Sequence, residues 1–176
     1  MKAIIQRVTK ASVTVGEEEV SSIGRGLCVL LGISVEDTQK DVDYIVRKIL
    51  NLRVFEDENG RAWSRSVMDR DYEVLCVSQF TLQCILKGNK PDFHSAMPAE
   101  LAQPFYNHIL ETMRTAYKPE LIKGWGLEDG TARCITSLIS VGNCTLDCSI
   151  SNSKIQKYIT QGKFSSNLCS IWKEEE

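Results

Sequence analysis

Apolar and polar positions alternate at the start of the chain and then close into unbroken apolar runs, as when strands pass from a sheet surface into its interior. Residues 2–8 and 11–15 read as strands, with Ala3, Ile5 and Val8 near one alternating face and Val13 and Val15 on another. Residues 26–33 follow with Leu27-Cys28-Val29-Leu30-Leu31, a continuous run that predicts a buried strand. Asp37-Thr38 then precedes Val42, Ile45, Val46, Ile49 and Leu52, spaced along one helix face with a cap at its start. Asp57-Glu58-Asn59-Gly60 is turn chemistry and predicts a hairpin. Glu73-Val74-Leu75-Cys76-Val77 predicts another mostly buried strand, stopping at Ser78-Gln79-Phe80-Thr81-Leu82. Pro98 opens a second helix with Leu101, Phe105, Ile109 and Met113 as its stripe, and Tyr117-Lys118-Pro119 ends it. Pro104 predicts a kink within that helix, or its true start.

Beyond Lys123 the texture changes. All four prolines lie at or before Pro119, whereas Cys134, Cys144, Cys148 and Cys169 all follow, among many serines. Two short strands are read there, Cys134 to Val141 and Cys144 to Ile150, joined by Gly142-Asn143 as a turn. The stretch from Lys154 to Glu176 has weak periodicity and is assigned no element.

At 176 residues the chain suits one core rather than two. A formal charge of -2 argues against holding nucleic acid by bulk electrostatics, although a few lysines can still seat one phosphate. The start of the chain, Met1 to Val8, is too short an apolar stretch for a signal peptide, and no stretch reaches a membrane span. The expected location is therefore cytoplasmic, with the seven cysteines reduced. Cys144-x-x-x-Cys148 with Cys134 and Cys169 does not match common zinc spacings, and neither metal nor cofactor is expected. His94 and His108 read as structural or exposed, and Phe93, taken alone, reads as core.

Chemistry is expected where the strand from Glu73 ends. Ser78, Gln79 and Thr81 present two hydroxyls and an amide where backbone N–H groups leave the ladder. Thr81 is a poor nucleophile without an adjacent base. Nine residues on, Lys87-Gly88-Asn89-Lys90 forms a turn whose lysines are candidates for holding phosphate.

Five ordered blocks resemble the D-aminoacyl-tRNA deacylase family: Met1 to Val8, Gly26 to Ile33, Lys48 to Phe55, Ser78 to Leu82 and Lys87 to His94. The resemblance covers residues 1–123, a deacylase-like core, and leaves 124–176 as a divergent segment expected to be a replaced carboxy terminus. It implies an α+β fold, a mainly antiparallel, barrel-like sheet flanked by two helices, forming a homodimer. It implies hydrolysis of the ester joining a D-amino acid or mischarged glycine to the tRNA acceptor end, as proofreading in translation. It also implies Gln79, Phe80 and Thr81 as catalytic and the ribose 2′-OH assisting water, and the chemistry of ester hydrolysis makes the Phe80 and Thr81 N–H groups the expected oxyanion donors. Arg7, Ser78, Leu82, Lys87 and Phe93 are the implied substrate-binding residues, with Arg7 locking a loop of the partner subunit.

The family's second motif, a Gly-cis-Pro pair reaching across the dimer, has no counterpart, since no Gly-Pro pair occurs in the chain. Impaired activity or impaired D/L discrimination is the consequence expected. A second reading keeps the family core as a non-catalytic nucleic-acid-binding or regulatory protein linked to DNA replication, for which a nuclear location would fit. A third is an unstable product whose carboxy-terminal segment cannot complete the sheet.

Overall fold

A computed structural model describes residues 1–126, 138–142, 147–151 and 154–158. The predicted strands form as β1 (Lys2–Val8), β2 (Lys10–Val15), β4 (Gly26–Gly32) and β5 (Glu73–Ser78). A strand absent from the sequence reading, β3 (Glu18–Ile23), pairs with β2. Its Glu18, Glu19 and Val20 are exposed, so it carries little of the alternation that marks a half-buried strand.

The first helix, α1 (Gln39–Asn51), starts at Thr38 with a capping box: the Asp41 carboxylate accepts from the Thr38 N–H at 2.9 Å. That bond and the Thr38 hydroxyl hold the Asp41 carboxyl below its ordinary value. The second, α2 (Ala99–Ala116), runs through Pro104 as one helix instead of starting there. Its buried stripe is Ala102, Tyr106, Ile109, Leu110 and Met113, and Leu101 is 62% exposed. The buried face is thus turned by one residue at the start of the helix, with Ala102 and Tyr106 inward, while Phe105 packs at the edge of the core. The remaining strands are β6 (Ile85–Lys87), β7 (Lys90–Asp92), β8 (Ile122–Trp125), β9 (Leu138–Gly142), β10 (Asp147–Ser151) and β11 (Lys154–Tyr158).

The fold is α+β with mixed sheets. One sheet has the order β11-β10-β1-β4-β5-β8, a second β3-β2-β9, and β6 and β7 form a hairpin. The expected mainly antiparallel pairing holds for six of the eight strand pairs among the described residues, and the expected barrel is corrected: β4–β5 and β5–β8 are parallel, and among the described residues no closed barrel forms. The parallel pairing has a simple cause: α1 lies between β4 and β5 and α2 between β5 and β8, so each connection crosses over and returns in the same direction.

Two apolar layers sandwich β4 and β5. Leu27, Val29, Leu31, Val74 and Cys76 face α1 and α2, meeting Val42, Ile45, Ile49, Ile109 and Met113. The alternate residues Cys28, Leu30, Leu75 and Val77 face Val8, Val13 and Ile23. Val8 therefore turns away from Ala3 and Ile5, to the opposite face. The Tyr106 hydroxyl donates to Cys76 O at 2.8 Å and to Trp125 O at 3.2 Å, tying α2 to β5 and to the end of β8.

The two late strands do not pair with each other. β9 lies against β2 and β10 against β1, so Gly142 and Asp147 belong to different sheets. Within 138–158 the described strands add to both sheets. The candidate cysteine ligands Cys134, Cys144 and Cys169 and the rest of the tail lie outside the described residues. At Asp57 to Gly60 the expected hairpin is a turn closed by the single bridge Phe55–Arg65.

Two outcomes check this packing. Tyr106→Phe removes the one hydroxyl shared by Cys76 O and Trp125 O and should lower unfolding free energy by about 1–3 kcal/mol in a urea titration. Burial pushes the Cys76 thiol up to about 12, so native protein should resist alkylation at Cys76 at pH 9. The protonated thiol favours the folded state, so its contribution should fade between its ordinary pKa of 9.0 and about 12.

Candidate functional site

The site is built where β4 and β5 end side by side. Leu31 pairs with Ser78, and the Gln79 N–H continues the ladder by donating to Leu31 O at 2.8 Å. The chain then leaves the sheet through a 3-10 turn, Phe80–Gln83, closed by Leu82 N–H to Gln79 O at 3.2 Å. In such a turn the first N–H groups, those of Phe80 and Thr81, have no carbonyl within the turn to meet. Gln79, Phe80 and Thr81 themselves are partly exposed.

What lies beneath this turn fixes its height. Gly32 ends β4, and a Cβ there would stand 2.7 Å from Leu82 Cβ and 3.1 Å from Gln79 O. Only a glycine lets the turn settle so closely. Leu82, 7% exposed, packs into the lower apolar layer rather than outward, and Ser78 is likewise buried. Gln79 Nε2 donates to Thr81 Oγ1 at 2.5 Å. Neither atom of an amide is a base, so this contact orients the hydroxyl without activating it.

The β6–β7 hairpin stands beside the turn. Gly88, at φ 63°, makes the bend between Lys87 and Lys90. Phe93 follows β7 and sets its ring edge-on to Phe80, with centroids 5.5 Å apart. It is 38% exposed, which corrects its reading as core. Lys87 forms an ion pair with Asp92 across the hairpin, and His94 Nδ1 lies 2.7 Å from the same carboxylate. The Lys87 ammonium, then the backbone N–H and ring of His94, hold the Asp92 carboxyl well below the usual carboxylate range. His108, also exposed, contacts Gln39 at 2.7 Å and links the two helices.

Of the residues singled out from sequence, Ser78 to Leu82 and Phe93 come together, with Lys87 on the adjoining hairpin. Arg7 does not. It pairs with Leu27, whereas Ser78 pairs with Leu31, so Arg7 lies four positions, roughly 13 Å, back along the strands. There its guanidinium donates to Val54 O at 2.9 Å and pairs with Glu56 at 3.4 Å. The Glu56 carboxyl is held below its ordinary value by its own backbone N–H, with further help from Arg7, Arg25 and Arg70.

The profile of the family described as D-Tyr-tRNA(Tyr) deacylase matches residues 4–133. The chain belongs to that family. It is 87% identical over 123 residues to D-aminoacyl-tRNA deacylase 1 of Danio rerio, and 72% identical over 123 residues to that of Homo sapiens. Each match takes in 70% of this chain and 59% of the relative, so the chain spans 59% of the length of these two relatives. A solved structure named c-Myc DNA Unwinding Element Binding Protein superposes with a TM-score of 0.79 at 59% identity, over 88% of this chain and 100% of that one.

In this deacylase-family chain, sequence reasoning missed Gln83, whose buried amide reaches back to Gly32 O at 2.7 Å. A lone glutamine after the motif gives no periodic signal. Gly32 was visible only as punctuation at the end of an apolar run, where its neighbours could not be read.

Gly32→Ala should force the turn off the sheet. An expected cost of about 1–3 kcal/mol in unfolding free energy, with displaced amide resonances at Phe80 and Thr81, would follow from overpacking. Unmoved resonances would mean the turn does not rest on Gly32.

Proposed function

We propose that this chain is, by descent and by the design of its site, a D-aminoacyl-tRNA ester hydrolase acting on the tRNA acceptor end. One observation carries the reading: in a chain of this family, the Phe80 and Thr81 N–H groups open a turn beside Gln79 and Thr81 at the mouth of a sheet. Those two donors suit the oxyanion formed as water adds to the ester carbonyl. The tetrahedral species then expels the ribose 3′ oxygen, which takes a proton, leaving free amino acid and tRNA.

The Thr81 hydroxyl meets an amide instead of a base. The attacking group is therefore water, positioned by the neighbouring ribose 2′-OH, with Gln79 orienting the RNA end. Phe93 and Lys87 border the same side and contact the terminal nucleotide, while Ser78 and Leu82 hold the turn from beneath. The reading places the enzyme in the cytoplasm as a homodimer, in which Arg7 serves the site of the partner subunit. Residues 1–123 are its deacylase-like core and 124–176 its replaced carboxy terminus.

Discrimination is the weak point of this form. D and L substrates carry the same groups, so selection needs a rigid wall against one side-chain direction. A cis-proline turn is such a wall, and a non-proline cis bond would cost about 2.5–4 kcal/mol. With no Gly-Pro pair in the sequence, the chain should hydrolyse D-tyrosyl-, L-tyrosyl- and glycyl-tRNA with little preference, and slowly.

The second reading, a nucleic-acid-binding protein without turnover that also enters the nucleus, is favoured by the name of the superposing structure, c-Myc DNA Unwinding Element Binding Protein. Release of amino acid from the three charged tRNAs, measured together with mass in solution, separates the two. Turnover supports the hydrolase, and strong D selectivity would refute the role given to the missing wall. A stable dimer that binds nucleic acid without turnover supports the second reading. Thr81→Ala should keep most of the activity, whereas complete loss would overturn water attack assisted by substrate.

A further inference from the structure

The turn that carries the Phe80 and Thr81 donors is pinned at both ends to the last residues of β4. Ahead of the donors, Gln79 N–H is bonded to Leu31 O at 2.8 Å. Behind them, Gln83 Nε2 donates to Gly32 O at 2.7 Å, from a side chain only 5% exposed. Between these two bonds Leu82 lies directly over Gly32.

We propose that Gln83 is a positioning residue for ester hydrolysis: its buried amide, by holding the Gly32 carbonyl, sets the direction of the Phe80 and Thr81 N–H groups. The inference rests on the hydrolase reading above and adds to it a residue that touches neither substrate nor reacting atoms. The physical case has three parts. A short 3-10 turn has poor internal hydrogen bonding and does not hold its own pitch. Its exit is closed within the turn by Cys84 N–H to Thr81 O at 3.1 Å, but the backbone then continues into the exposed β6–β7 hairpin instead of into the sheet, which leaves this end free to shift against β4. A side-chain bond to a strand end removes that freedom, and uncharged amide chemistry does so without setting a second charge beside the developing oxyanion.

A loss of this bond should leave substrate binding almost intact, since the contacts to the RNA end are made by other groups. It should instead blunt the donors when charge develops, so kcat falls and KM does not. A residue that only supported the fold would lower the folded fraction without that split.

The test uses the full chain with Gln83→Met, which keeps length and volume but has no donor, and Gln83→Glu, which at neutral pH sets a carboxylate against a carbonyl. Steady-state hydrolysis of D-tyrosyl-tRNA should show kcat down by about 10–100-fold with KM within about twofold of the parent, well below the unfolding midpoint. Independently of turnover, amide relaxation by NMR should show Phe80 and Thr81 more mobile in both variants, with the β4 and β5 amides unchanged. Parent kcat in Gln83→Met, or unchanged Phe80 and Thr81 relaxation, would overturn the proposal. If the parent chain itself shows no turnover, the hydrolase reading fails on its own, and relaxation still decides whether Gln83 holds the turn.

Discussion

Everything at the site depends on the parallel run of β4 beside β5 and on how close the chain comes to β4 when it leaves. Because the two strands point the same way, both end at one edge, where Leu31 and Ser78 stand side by side. The hydrogen-bond ladder then extends one residue further, to Gln79, and the turn is laid over Gly32. A parallel pair needs a long crossover, and α1 supplies it while covering the upper face. Buried apolar layers above and below make the two strands a stiff base, and a stiff base keeps the turn laid on it in a fixed position.

Much of this was legible in the residues. Leu27 to Leu31 of β4 and Val74 to Val77 of β5 are legible as apolar runs, all of them buried, and a strand hidden on both faces is itself a mark of parallel pairing. The mainly antiparallel pairing implied by the family resemblance holds for the remaining pairs, and only the barrel does not close among the described residues. The polar edge strand β3 and the shift of the α2 stripe from Leu101 and Phe105 to Ala102 and Tyr106 were illegible in the sequence. Which residues a helix or an edge strand buries depends on neighbours that arrive from elsewhere in the chain, not on local periodicity.

The site divides in the same way. The Ser78 to Leu82 motif could be read because its chemistry is local, with hydroxyl, amide and backbone donors in one turn. Its supports could not, because Gly32 and Gln83 meet across 51 residues of sequence. Arg7 shows the limit from the other side. Named with the site because of family resemblance, it lies at the far end of the sheet within one protomer, bonded to Val54 and Glu56. A role for it at the site therefore requires a second copy.

The most direct test of the central claim is an NMR titration with a non-hydrolysable analogue of the tRNA end, 3′-deoxy-3′-(D-tyrosyl)amino-adenosine. If the substrate's carbonyl meets the turn at the end of β5, the largest amide shifts should fall on Gln79 to Gln83, led by Phe80 and Thr81, with Phe93 following. Saturable shifts centred elsewhere, with Phe80 and Thr81 unmoved, would contradict it.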